Sequence, residues 1–525
     1  MHIDDTDPSV HSGNVARLFD ETARHHGDAL AIEVDGHRIT HDELQARTRS
    51  FAGGLREAGF EADDVLMVYL PNCPEYLVAA IGAFRAGVVV SPVNPQYKSR
   101  ELSYQLDDAG VAGVVTHSAL RETLGEAVAE ADADPTVLTV GPERADGDLA
   151  FDDVSGDPLT VDREDGDVAL LPYTSGTTGR PKGVRLTHRN FAAQLLSVLA
   201  GHDPIDDEDV RSLLYLPLYH ITGFTHVAMQ PLVRGGSLFL RNPTNWDAEA
   251  AMRTIEAEGI SHFVGVTAMY VDMVNDDSFG EYDLSSLVRA SEGGAKMSVA
   301  VQREFEAVAG VAMTEGYGLT ETNGATHSQQ NSTFGLRHGT IGQPLRMVDC
   351  KIVDHDDEEV SIGEEGELLV RGPQVMAGYH GMPDATDEAF TEGGYFRTGD
   401  IARRDVDNYF EIVDRKKHMI VSAGYNIYPS EVEEFLHEHE AVAEAAVVGV
   451  PDDRRNEVPV AYVVPRPGVA VGEDVTSEGL KQYCLDSIAE YKHPREVYFV
   501  EELPRTASGK IQKFKLVEDH DEADD

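Results

Sequence analysis

YTSGTTGRPKG, Tyr173 to Gly183, decides how the rest of the chain is read. Thr174, Ser175, Thr177 and Thr178 alternate with Gly176 and Gly179, so hydroxyl donors are interleaved with residues whose backbone N–H groups can approach an anion closely. Lys182 adds a positive charge, and a loop of this make-up wraps phosphate. It is not the phosphate loop in which Gly-Lys-Ser/Thr opens a helix, because Pro181 separates the last glycine from Lys182. Gly183 to Leu186 alternates as a strand, and Thr187 is placed to cap a helix over Arg189 to Ala200. The loop therefore joins two strands.

Outward from this loop, short runs of Val, Ile and Leu alternate with stretches of helical period such as Asp42 to Glu57 and Pro74 to Ala86, which is an α/β pattern. The longest apolar stretch, Leu77 to Val93, is broken by Arg85, so no segment reads as membrane-spanning. Near Asp400 the texture changes. Short paired strands at Ala402 to Arg404 and Tyr409 to Ile412 lead into the charged segment Asp414-Arg415-Lys416-Lys417. Beyond it, Ser430 with Glu433 predicts a capping box opening a helix with Val432, Phe435 and Leu436 on one face. Strands at Glu444 to Val450 and Val460 to Val464, a helix from Ser477 to Ala489 and a strand at Glu496 to Val500 complete a module of roughly 110 residues, enough for its own core. The expected organisation is a large α/β region of several subdomains, residues 1–414, and a small α+β domain, residues 415–525, with a hinge at 414–417.

Composition narrows the partners. The 525 residues carry 93 acidic and 43 basic side chains, a formal charge of -50 that would repel nucleic acid. In molar salt the Debye length shrinks to about 3 Å and the self-repulsion of such a surface largely vanishes, which points to a salt-rich cytoplasm like that of halophilic microbes. The acidic start, Met1 to Pro8, has none of the features of a secretory signal, so a cytoplasmic location is expected. Cys73, Cys350 and Cys484 are too few and too scattered for a disulfide framework or a cysteine zinc site and read as ordinary buried thiols. Lysine is scarce, and most of it (Lys182, Lys416, Lys417, Lys492, Lys510, Lys513 and Lys515) falls in or beside the motifs.

With the loop at Tyr173 to Gly183, EGYGLTET at Glu315 to Thr322, YFRTGD at Tyr395 to Asp400 and PRTASGKIQK at Pro504 to Lys513, nearly the whole chain resembles the adenylate-forming superfamily of acyl-CoA synthetases, aryl-CoA ligases, peptide-synthetase adenylation domains and beetle luciferases. The resemblance implies that Thr174, Ser175, Gly176, Thr177, Thr178, Gly179 and Lys182 hold the ATP phosphates, and that Gly294 and Ala295 in SEGGAK pass beside the adenine. Glu315, Gly316, Tyr317 and Gly318 complete the nucleotide wall, with Tyr317 against the base. It further implies that Thr320 meets the α-phosphate, that Glu321 with Thr174 serves Mg²⁺, that Asp400 and Arg415 hold the ribose, and that Lys510 bridges the substrate carboxylate and the α-phosphate. One carboxylate plus phosphate oxygens is chemistry that Mg²⁺ accepts.

The acyl pocket implied by the same resemblance is lined by His220, Phe224, Gly265, Thr267, Met269 and Gly293. His220, in the run LPLYHITGF, is read as a pocket or gating residue and not a base. Rotation about Lys417 is expected to bring Ala423, Gly424 and Tyr425 to the site for coenzyme A. DRKKHMIVSAGYNIYPSEVE, Asp414 to Glu433, looks most like fatty acyl-CoA synthetases, and the pocket segments show no buried cation. A medium- to long-chain fatty acid, ATP and coenzyme A are the expected substrates. The alternatives are an aryl- or 4-coumarate-type CoA ligase, or a nucleotide-binding sensor without turnover. Oligomeric state is not legible, and a homodimer stays among the expectations.

Overall fold

The computed structural model describes residues 13–174, 181–199, 205–293, 297, 299–330, 332–422, 425–452, 454–505 and 511–524. The chain divides into two compact units, one of Met1–Asp349 with Val370–Phe396 and the other of Cys350–Leu369 with Arg397–Asp525.

Two large sheets build the first unit. In one, the strands Leu30–Val34, Ser237–Leu240, Arg211–Leu214, His262–Gly265, Arg289–Gly293 and Met313–Leu319 lie side by side in parallel, with antiparallel strands at both edges. In the other, Val168–Leu170, Val89–Pro92, Val65–Tyr69, Val111–His117, Thr136–Val140 and Leu149–Ala150 run parallel, and Lys182–Thr187 adds antiparallel to Val168–Leu170 with the short strand Gly378–Tyr379 outside it. Parallel strands must be covered on both faces, and the helices supply the cover. The helix His41–Glu57 starts at a reciprocal capping box of Thr40 and Glu43 and buries Leu44, Thr48, Phe51, Ala52 and Leu55.

The helix Pro74–Ala86 buries all but its first two residues, with Pro74 in its first turn and Gly87 ending it in the left-handed region at φ 77°. A helix apolar around nearly its whole circumference belongs in a core. Arg85, which interrupts its apolar run, is 0 % exposed and donates to Asp20 at 2.7 Å and to Thr48 at 3.0 Å. Removing Asp20 would strand a buried guanidinium, which costs on the order of 3–5 kcal/mol. Among the described residues no helix is long and apolar enough to cross a membrane.

The second unit contains the antiparallel pairing of Asp400–Arg404 with Phe410–Arg415 and a five-stranded sheet. In that sheet Val442–Asp452 pairs antiparallel and Glu496–Phe499 pairs parallel with Asn456–Pro465. One face packs Val447, Ala461 and Val463 against Val432 and Leu436 of the helix Pro429–His437 and Leu480 and Cys484 of the helix Ser477–Ser487. The other face packs Val448, Val460 and Tyr462 against Leu503 and Leu516.

The capping box predicted at Ser430 and Glu433 does not form. Asp414, at the end of the preceding strand, accepts from Ser430 N at 2.9 Å, while the Ser430 hydroxyl donates to the Val413 carbonyl. Glu433 is engaged elsewhere, by Val447 N at 2.6 Å and Lys513 at 2.7 Å. A tertiary carboxylate thus takes over the local cap, and Lys513 is a tie between the last helix, Lys513–Asp524, and this one. Cys484 is buried as expected, whereas Cys73 and Cys350 are only partly so.

Candidate active site

The glycine-rich loop is anchored by an antiparallel pair in which Thr174 faces Lys182 and Tyr173 faces Gly183. It therefore joins two strands, as read from sequence. Ser175, Gly176, Thr177, Thr178 and Gly179 lie outside the described residues, as do Gly294, Ala295, Ala423, Gly424 and Lys510. The helix after the loop is His188–Leu199, beginning one residue earlier than expected. Thr187 caps it with Asn190 as reciprocal partner: Asn190 N donates to Thr187 Oγ1 at 3.1 Å and Thr187 N to Asn190 Oδ1 at 2.8 Å. This cap fixes the exit of the strand that carries Lys182.

Lys182 Nζ stands 4.7 Å from the centre of the Tyr379 ring, and the Tyr379 hydroxyl donates to Glu321 Oε1 at 3.1 Å. Lys182 and Glu321, 139 residues apart in sequence numbering, thus meet through one phenol. Burial first, and then the Glu321 charge, raise the Tyr379 pKa well above the ordinary phenol range, so the group stays a donor. The Glu321 carbonyl accepts from Met376 N at 2.8 Å. Tyr379 went unread because Gly378–Tyr379 is a two-residue strand that pairs with Val184 and Arg185, and no motif marks it. Its only sequence signal is an aromatic after a glycine, which is too common to select.

The strand Met313–Leu319 carries Glu315, Gly316, Tyr317 and Gly318 and ends in the turn Thr320–Thr322. Glu315 is buried and accepts from Gln302 Nε2, so its side chain holds the strand to the helix Val299–Ala309. The Tyr317 ring packs edge-on against His327, with centres 6.0 Å apart, and burial lowers the His327 pKa to about 3. Gly318 lies where a Cβ would meet the Gly324 carbonyl oxygen at 1.9 Å, and Gly324, at φ 108°, lies where one would meet His226 Nε2 at 2.1 Å. Both glycines are required by close approach. The turn with Glu321 is locked by Thr322 Oγ1, which donates to the Gly324 carbonyl at 2.6 Å, and by His226 Nε2, which accepts from Ala325 N at 2.9 Å.

Of the residues expected around the acid, Gly265, Thr267, Met269 and Gly293 fall at one end of the first sheet. Gly265 and Gly293 end neighbouring parallel strands, Thr267 opens the helix Thr267–Asn275 with its hydroxyl donating to Glu292 Oε1 at 3.3 Å, and Met269 is buried one turn along. His220 is partly buried, and its carbonyl accepts from Phe224 N at 2.9 Å as the chain enters the wide-turned π-helix Thr222–Met229. Phe224 packs with Tyr76, Phe84 and Phe191, ring centres 5.7–6.4 Å away, in an aromatic cluster of the core. The strand ending at Gly293 begins with Arg289, only 7 % exposed. It lies upstream of the pocket segments read from sequence, and the parallel register carries it inside.

In the second unit, Asp400 and Arg415 face each other across adjacent antiparallel strands, with Arg415 Nε 2.7 Å from Asp400 Oδ1. Asp400 is 2 % exposed, and its N–H donates to Thr398 Oγ1 at 3.1 Å. Lys416 pairs with Glu367 at 3.0 Å, Lys417 lies in the turn Lys416–His418, and the backbone of Tyr425 pairs with Ser422.

The profile of the AMP-binding enzymes matches residues 19–380, and that of the AMP-binding enzyme C-terminal domain matches residues 431–510. The chain is 34% identical to a long-chain-fatty-acid–CoA ligase of Salmonella typhimurium, over 96% of this chain and 94% of that protein. It is 36% identical to a feruloyl-CoA synthase of Amycolatopsis, over 94% and 96%. Its structure superposes on ATP-bound MatB of Rhodopseudomonas palustris with a TM-score of 0.86 at 30% identity, over 96% and 99% of the two chains.

Proposed function

The chain belongs to the AMP-binding enzymes of the adenylate-forming superfamily, and from that premise we propose that it joins a fatty acid of medium to long chain to coenzyme A, converting ATP to AMP and pyrophosphate by way of an acyl-adenylate. The observation that carries the reading is the meeting of Lys182 and Glu321 through Tyr379, because it sets a cation and a carboxylate on one polar cluster beside a phosphate loop.

In the first half-reaction a carboxylate oxygen bonds to the α-phosphorus, and the bond from that phosphorus to pyrophosphate breaks with its electron pair leaving on pyrophosphate. Two anions must approach, so positive charge and fixed donors are the main requirement. Lys182 and Lys510 supply charge, and Thr174, Thr320 and the loop supply donors. Glu321 offers a single carboxylate, which fits Mg²⁺ held jointly by protein, phosphate and water. When bound, the ion neutralises phosphate charge. Asp400 and Arg415 hold the ribose. In the second half-reaction the thiol sulfur of coenzyme A bonds to the acyl carbon, AMP departs and the thiol proton is released. We place the pivot between the halves at 414–417, with the segment at Ala423, Gly424 and Tyr425 turned to the site for the thiol. The likeness to a feruloyl-CoA synthase favours a second reading, an aryl- or hydroxycinnamate-CoA ligase with the same ATP chemistry.

Acid-dependent exchange of labelled pyrophosphate into ATP, run in molar KCl against straight-chain acids, benzoates and cinnamates, tests the proposal and ranks the two readings. Release of ADP, or no exchange with any acid, would overturn it. Within the same assay Tyr379→Phe is expected to lower kcat/KM for ATP about tenfold, the usual worth of a hydrogen bond to a charged group. An unchanged value would remove Tyr379 from the site.

A further inference from the structure

The helix Ser99–Asp108 reaches both feet of the phosphate loop. Tyr104 and Asp108 stand four residues apart and so share one face of it. The hydroxyl of Tyr173, on the strand that enters the loop, donates to Asp108 Oδ2 at 2.7 Å. The Tyr104 hydroxyl donates to the carbonyl of Pro181, where the chain leaves the loop, at 2.8 Å. Tyr104 also lies 3.4 Å from Asp108 Oδ1, but a phenol has a single proton and the shorter contact takes it. The rings of Tyr104 and Tyr173 meet edge to face with centres 6.4 Å apart. One helix face thus holds the residue before Thr174 and the residue before Lys182.

The helix is itself a fixed support. Its buried residues Leu102 and Leu106 pack with Val65, Met67, Val111 and Val114 in one core cluster, and Tyr173 rests against the same cluster. A close-packed interior does not let such a helix shift. At the exit of the loop, a bond to the Pro181 carbonyl fixes the peptide plane that joins Pro181 to Lys182. The proline ring already fixes the preceding rotation, so the direction in which Lys182 leaves the backbone is set. At the entry, burial first and then the bond to Asp108 raise the Tyr173 pKa far above the ordinary phenol range, so Tyr173 stays the donor. A Cβ on Gly183 would come within 3.1 Å of Tyr173 Cζ, and the bare backbone there gives the ring its room beside the paired strand. The hydroxyl contacts lie among partly exposed side chains, where they add little to stability. In-line attack on phosphorus is far more demanding, since a misplacement of about 1 Å can cost 10²-fold in rate.

We infer that Tyr104 and Asp108 are positioning residues for the ATP-dependent half-reaction: acting through Pro181 and Tyr173, they hold Lys182 and Thr174, the two ends of the phosphate loop, where the triphosphate needs them. The inference rests on the acyl-CoA ligase reading and adds to it two residues on a helix that no motif marks. It also separates the two halves of the reaction. Thioester formation starts from an acyl-adenylate, which has already lost the β- and γ-phosphates, and so makes a much smaller demand on the loop.

The test measures the two half-reactions separately in the parent, Asp108→Ala and Tyr104→Phe. One assay is pyrophosphate exchange with the acid that serves the parent best, and the other is thioester formation from the supplied adenylate of that acid and coenzyme A. Asp108→Ala is expected to lower kcat/KM for ATP in exchange about tenfold, and Tyr104→Phe roughly three- to tenfold, the worth of a hydrogen bond to a charged and to a neutral acceptor. Thioester formation is expected to stay close to the parent rate in both. In a Tyr173→Phe background, Asp108→Ala is expected to cost nothing further, because the carboxylate acts through that phenol. Alanine suits a helix and phenylalanine keeps the ring, and if one variant melts early the other decides. Exchange at the parent level in the folded variants overturns the inference and leaves the ligase reading standing. So does loss from both half-reactions in equal proportion, the mark of a merely structural role, and so does a full cost of Asp108→Ala when the Tyr173 hydroxyl is already gone. Absence of acid-dependent exchange in the parent overturns the ligase reading and this inference with it.

Discussion

Lys510→Ala lowers acid-dependent pyrophosphate exchange by about 10²–10³-fold, the range set by removing one donor from a developing oxyanion, and leaves the conversion of supplied acyl-adenylate and coenzyme A to acyl-CoA close to the parent rate. The asymmetry follows from where charge appears. In the first half-reaction negative charge builds on the oxygens around the α-phosphorus as a second anion arrives, and a single ammonium placed there acts almost entirely on the transition state. In the second, the adenylate is already formed, the bond being broken is at the acyl carbon, and the positive charge has no oxygen of its own to stabilise. On the proposed two-step reading, a lysine left on the face that the thiol must use would also obstruct it. Single-turnover measurement of each half separately is the deciding experiment. Equal loss in both halves would sink the assignment of Lys510 to one step and with it the pivot at 414–417.

Much of this molecule was legible because local chemistry and global fold agree. Thr187 caps a helix where the hydroxyl predicts one, Pro74 and Gly87 bracket another, and the strands after Asp414 lie close to where Val, Ile and Tyr alternate. The loop at Tyr173 to Gly183 could be read as a connection between strands because Gly183 to Leu186 alternates as a strand directly after it. What stayed illegible depends on contacts distant in sequence. Ser430 looks like a cap, but Asp414 from another element takes that role. Tyr379 carries no pattern of its own, and only the pairing of its strand with Val184 and Arg185 delivers the phenol to Glu321. Arg289, which no motif marks, is a buried cation because the parallel register continues the sheet through it. Polar residues inside a core are the least predictable part of a sequence, since their place is decided by partners and not by period.

Asp400→Asn raises the KM for ATP by about tenfold to a hundredfold, the effect of weakening charge-assisted hydrogen bonds at 1.5–3 kcal/mol each, and reduces the preference for ATP over 2′-deoxy-ATP. An ionised carboxylate accepts at up to about four sites, so the contact with Arg415 Nε at 2.7 Å still permits acceptance from two vicinal hydroxyls. The amide replacement keeps the volume but halves the acceptors and removes the charge. Because Asp400 is 2 % exposed while the Arg415 side chain is 39 % exposed, Arg415 can rehydrate when its partner is neutralised, and the stability cost stays well below that of a fully buried broken pair. The two nucleotides separate folding from recognition. A variant that is merely unstable loses activity with both nucleotides in proportion. A variant that has lost a ribose carboxylate falls further with ATP than with 2′-deoxy-ATP, whose missing hydroxyl had already forfeited one of the two interactions. Retention of the parent preference for ATP in a folded Asp400→Asn protein would show that the ribose is held elsewhere, and that the buried pair Asp400 and Arg415 only fastens two strands.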